Sequence, residues 1–279
     1  MSTLRSILVH LDPSPRSTRR LLLARELGAR HGASVTALYA STPSALSAPY
    51  VLDAGPGDLM AMLQQLDIDY RDAARERFDR ASVSDAAPVA WRELESEPLI
   101  PGFATQALWS DLMVLGQFDP SDPMTSGVSA DFVPSVLLAS GRPALIVPFI
   151  DVREPVGGQV LIAWKSTRES AHAVSAAIPL LQRAHQIHLA LADEPGTERA
   201  HADSLEAYLR RHDVHAPIQH HPLSSAGPAG DALLSLAADV GADLLVMGCY
   251  GHSRARELVL GGASRTVLRT MTLPVLMAH

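Results

Sequence analysis

The chain repeats itself, and that limits its folds more than any other feature. The run ILVHLD at 7–12 matches VLIAWK at 160–165, DLMVLG at 111–116 matches DLLVMG at 243–248, and PALIV at 143–147 matches PVLMA at 274–278. Asp111 and Pro143 lie 32 residues apart, and Asp243 and Pro274 lie 31 apart. One apolar strand matches another by chance. Three matches in the same order, with a shared Asp before one strand and a shared Pro opening another, indicate duplication. A length of 279 residues suits two domains, and each half is long enough to bury its own core.

Within each half, short apolar runs alternate with helix-periodic segments. Strands are expected at 6–11, 33–40, 89–94, 111–116 and 142–148, and again at 159–164, 186–192, 217–221, 243–248 and 273–277. Helices are expected at 16–31, 59–81, 102–109, 128–140, 168–184, 197–211, 229–240 and 262–271. Pro134 must sit early in its helix or kink it. Residues 42–58, rich in Pro, Ser, Ala and Gly, read as a mobile loop. The expected class is α/β, with two tandem domains at 1–150 and 155–279. Each is a five-stranded parallel sheet with helices on both faces. The linker around 151–158 carries Pro155, Gly157 and Gly158.

A net charge of −7 argues against a general nucleic-acid surface. Arg16, Arg19 and Arg20, spaced as a helix spaces them, read as a solvated helix face. No run approaches 18 apolar residues, so no membrane span is expected, and with no leader-like N-terminus the expected location is the cytoplasm. Cys249, the single cysteine, makes no internal disulfide and reads as a small residue fitting a turn, with a redox-sensitive thiol beside a helix start as the alternative. His212, His215, His220 and His221 cluster in sequence but lack cysteines or carboxylates at metal spacing, so no metal site is assigned. No Gly-x-Ser-x-Gly elbow occurs, and no catalytic residue is assigned.

The most specific segment runs from Met247 to Ser264 and contains Gly248, Gly251, Gly261 and Gly262. It leaves the carboxyl end of a strand and opens a helix. Glycines let backbone N–H groups approach a phosphate. The helix start adds unpaired donors and the positive end of its dipole, and Ser264 offers a hydroxyl. The alternative reading of the same residues is a flexible turn followed by a serine in the first helical turn. Glu257 is the one carboxylate in the loop, so no general base is evident and the chain leans away from enzyme chemistry.

The spacing Gly248-x2-Gly251-x9-Gly261, then a small residue and Ser264, resembles the ATP-binding signature of the universal stress protein family. The opening run 7–12 resembles that family's first strand and its terminal aspartate, and WKSTRE at 164–169 resembles the WDGSRE of bacterial members. The resemblance implies an adenine nucleotide, ATP or AMP, over Gly248, Gly251, Gly261, Gly262 and Ser264, with Mg2+ only if ATP is bound. It also implies edge-strand pairing between the two halves as a pseudo-dimer, near 143–147 and 274–277. Further self-association between chains stays open. Lys165 stands where the family has its aspartate; an ammonium only donates, but it can reach a phosphate. In the first half Asp12 is present, but Asp119 replaces the second glycine. Asp119, Asp122 and Asp131 are expected to face any phosphate there and repel it. The expected function is regulation through a protein partner, with nucleotide in the second domain. A ligand-free interaction protein and, less favoured, a slow ATPase are the alternatives.

Overall fold

A computed structural model describes residues 4–47, 56–83, 87–94, 98–122, 127–150, 155–191, 198–223, 227–249 and 262–279. They divide into two compact units, Leu4–Ser140 and Gly141–His279. The fold is α/β with mostly parallel strands and packed helices, as the alternation of segments leads one to expect.

The first unit contains β1 (Ser6–Leu11), α1 (Ser17–His31), β2 (Ser34–Tyr39), α2 (Ser44–Ser47), α3 (Pro56–Ser82), β3 (Val89–Glu93), α4 (Leu99–Ala107), β4 (Leu112–Gly116) and α5 (Phe132–Ser140). The strand order is β3-β2-β1-β4, all parallel. The central strands β1 and β4 are almost wholly buried, which explains their unbroken apolar runs. Strands step from β1 out to β3, then return to the far side of β1. Right-handed crossovers therefore send α1 and α3 to one face and α4 and α5 to the other, and each pair packs together. Gly32, in the left-handed region with φ +67°, ends α1. Part of the segment read as a loop is helical, since α2 falls within it and α3 begins at Pro56. Pro134 lies in the first turn of α5, where its missing N–H costs nothing.

The second unit contains β5 (Ala144–Val147), β6 (Gln159–Trp164), α6 (Arg168–Leu181), β7 (Gln186–Leu191), α7 (Glu198–Arg211), β8 (Ile218–Pro222), α8 (Ala229–Asp239), β9 (Leu244–Gly248), α9 (Ala263–Thr270) and β10 (Val275–Ala278). Its order is β5-β10-β9-β6-β7-β8. All neighbours are parallel except β5 and β10, which pair Ile146 with Val275, Leu145 with Leu276 and Ala144 with Met277.

The shared aspartate of the repeat has the same task in both units. Asp111 Oδ2 accepts the backbone N–H groups of Arg5 at 2.8 Å and Ser6 at 2.9 Å. Asp243 accepts those of Gly157 at 2.7 Å, Gly158 at 3.0 Å and Gln159 at 2.9 Å. Each carboxylate thus clamps the start of the strand that opens its repeat. No helix among the described residues is long and apolar enough to cross a membrane.

Candidate functional site

Open parallel sheets bind ligands beyond the carboxyl ends of two neighbouring strands whose connections leave in opposite directions. In the first unit those strands are β1 and β4, in the second β6 and β9.

In the second unit Ala163 pairs with Met247, so Lys165 follows β6 where Cys249 follows β9. Lys165 is exposed. Thr167 caps α6, its hydroxyl accepting Ser170 N–H at 3.3 Å. Glu169 is buried, which on its own raises a carboxyl pKa. The Arg168 guanidinium, its own backbone N–H and Thr167 outweigh burial and hold it below the usual carboxylate range. Gly248 has a packing reason to be glycine: a Cβ there would lie 2.5 Å from Ser170 N and 2.6 Å from the Glu169 carbonyl carbon. The end of β9 thus presses on the first turn of α6. Cys249 is buried, donating its N–H to Ala278 O at 2.9 Å and accepting at its own carbonyl from His279 Nδ1 at 3.1 Å. Gly262 is the N-cap of α9 and Ser264 is buried in its first turn. Gly251, Gly261, Arg254, Arg256 and Glu257 lie outside the described residues.

The first unit has its charges arranged otherwise. Asp12 and Arg20 form a buried pair at 2.7 Å, and Asp12 Oδ1 also accepts Ser14 N–H at 2.9 Å. Arg16 reaches Asp119 and Asp122, each at 2.6 Å. The Ser121 hydroxyl, then the Ser121 N–H and Arg16, hold the Asp119 carboxyl below its ordinary value against the opposing effect of burial. The expectation that three carboxylates face a phosphate is therefore corrected. Two are bound to Arg16, and Asp131 is exposed at the start of α5. The solvated-face reading of the arginines is corrected as well: Arg20 is buried and Arg16 is ion-paired. Helical spacing shows which residues share a face; it gave no sign that carboxylates about a hundred positions later meet Arg16, or that Arg20 turns back to Asp12.

Among the described residues no three His, Cys, Asp or Glu side chains gather as a metal site. His188 and His221 meet at 3.0 Å as a pair, and His220 pairs with Glu206 at 2.6 Å.

Residues 158–279 match the family model described as "Universal stress protein family". The second repeat, from β6 to β10, is thus what matches that family. A curated universal stress protein of Synechocystis sp. is 46% identical over 50 residues, a match spanning 18% of this chain and 17% of that relative. A universal stress protein structure from Archaeoglobus fulgidus is similar across both halves, with TM-score 0.72, 14% identity, and coverage of 99% of this chain and 96% of that one. A functionally unknown Pseudomonas aeruginosa protein gives TM-score 0.54 at 17% identity, covering 98% and 92%. At these identities the two structures establish the fold alone, across both halves. Within that fold, Lys165 and Gly248 stand at neighbouring strand ends, and Gly262 and Ser264 open α9.

Proposed function

We propose that this chain is a regulatory protein of the universal stress protein family that binds an adenine nucleotide, ATP or AMP, in its second unit and acts through a protein partner. The observation that carries the reading is the contrast between the two crevices. The second presents an exposed ammonium, Lys165, and its glycine segment leads into a helix start at Gly262. The first is occupied by its own side chains. Gly248, Gly251, Gly261, Gly262 and Ser264 form the phosphate side of the proposed site, and Lys165 supplies a cation in place of a ribose acceptor. Mg2+ enters only with ATP.

The test uses the whole chain. Ligand released from freshly purified, denatured protein is identified by mass spectrometry, and nucleotide affinity is measured by calorimetry. One nucleotide per chain is expected. Gly261→Asp, which sets a carboxylate among the phosphates, should weaken binding more than tenfold, about 1.4 kcal/mol, without moving the unfolding midpoint. Lys165 favours a second reading, a ligand-free interaction protein, because it removes the carboxylate that would accept from ribose hydroxyls. Absence of nucleotide from both measurements selects that reading.

A further inference from the structure

The crevice of the first unit lies where a parallel sheet of this topology seats a ligand, and the chain fills it with its own arginine. Arg20 reaches it from α1. Its Nη2 pairs with Asp12 at 2.7 Å, and its Nε–H donates to His10 O at 3.0 Å. The guanidinium lies against Gly116, the last residue of β4, where a Cβ would stand 2.2 Å from Nη1. Glycine is therefore what leaves room for the arginine. Arg20 is 5% exposed and Asp12 4%. Over this pair Arg16 bridges Asp119 and Asp122, tying the segment after β1 to the segment after β4, and the Ser14 hydroxyl donates to Asp122 at 3.2 Å. The space remaining is about 20 Å³, enough for about one water molecule and far too small for a nucleoside. In the alignment that pairs Ile7 with Val160, Lys165 falls opposite Asp12 and Ala173 opposite Arg20, so the second half has no counterpart of this pair.

We propose that this crevice is a self-liganded site. The Arg20 guanidinium is its permanent occupant, Asp12 and the His10 carbonyl are its ligands, Gly116 shapes the seat, and Arg16 is the clasp that closes it. The planar fork of arginine suits a seat made of one carboxylate and one carbonyl. A buried carboxylate facing an empty seat would be strongly unfavourable, so the occupant and Asp12 depend on each other. The first unit keeps its shape without a ligand, leaving ligand response to other parts of the chain.

Chemical rescue of the full-length protein tests this, followed by thermal unfolding. Arg20→Ala should lower the midpoint by about 10 °C. Ethylguanidinium chloride at about 10 mM should then restore a few degrees in the variant and leave the wild-type midpoint unraised, because the wild-type seat is full. Ethylammonium chloride, a point charge without the planar fork, should restore less than half as much as ethylguanidinium. An unchanged midpoint in Arg20→Ala, or a lowered midpoint that ethylguanidinium does not raise, overturns the proposal. Should Arg20→Ala fail to fold, the double variant Asp12→Asn/Arg20→Leu decides. It leaves no charge unpaired, so it should fold and ignore ethylguanidinium; failure of this variant to fold also overturns the proposal.

Discussion

His10 points from β1 into the first unit against Phe103 and Phe132, with ring centroids 5.3 and 4.5 Å away. Its Nε2–H donates to Ala40 O at 2.8 Å. Burial lowers its pKa to about 4, helped by Arg20 and opposed by Asp12 and the Ala40 carbonyl. The unfolded chain therefore takes up a proton near pH 6.5, while the folded one stays neutral until far lower. This contribution to stability is complete above that point and is lost as pH falls from 6.5 towards 4, on the order of 3 kcal/mol in all. Urea midpoints measured across this window should fall less steeply for His10→Gln than for wild type; parallel curves would discount the assignment. Two glycines offer a second comparison. Gly248→Ala drives a Cβ into helix backbone and should cost about 1–3 kcal/mol in denaturant unfolding. Gly116→Ala meets a side chain, but one pinned by Asp12, so its cost should fall sharply when combined with Arg20→Ala.

Among the elements, α3 and the strand openings depend on contacts distant in sequence. The Arg25 side chain, buried in α1, donates to Ala81 O and Ser82 O at the end of α3 and to Ala87 O at 2.9 Å ahead of β3. One guanidinium thus caps a 27-residue helix and anchors the segment that follows. Arg25→Met should lower stability by about 2–4 kcal/mol, with amide exchange accelerating first over residues 78–82. Asp243→Ala strips the acceptor from three N–H groups and should cost about 2–3 kcal/mol in chemical denaturation, more than Asp111→Ala, whose carboxylate holds two. Strands and most helices were legible because apolar runs and glycine or proline stops are local signals. The repeated aspartate was legible as a mark of duplication. Its role as a clamp was not, since Asp243 and Gly157 lie 86 positions apart. The glycine segment was legible as a motif, yet Gly248 is required by a helix turn that approaches from elsewhere in the chain. Arg16 was misread for the same reason, since its carboxylates Asp119 and Asp122 arrive from far along the chain; Arg20 was misread because helical spacing does not show that its side chain turns back to Asp12 at the end of β1.

At the scale of the whole molecule, the two halves repeat the same three segments but differ in their crevices, one filled from within and one bearing an exposed Lys165. They also divide unevenly. The compact units meet at Ser140 and Gly141, ahead of the linker near 151–158, because β5 runs in a ladder with β10, the last strand of the second repeat. Residues 155–279 expressed alone should expose the outer edge of β10 and self-associate at micromolar concentration, whereas residues 141–279 keep that edge paired. Size-exclusion chromatography of the two fragments checks this, and equal elution behaviour would count against it. Duplicated genes can ordinarily be split again at the join without harm to either product. In this chain the join in the sequence and the join in the fold are one strand out of step, so a split at the linker takes from the second copy a strand that the first copy encodes. A cut at the linker therefore divides a hydrogen-bonded ladder instead of separating two finished sheets.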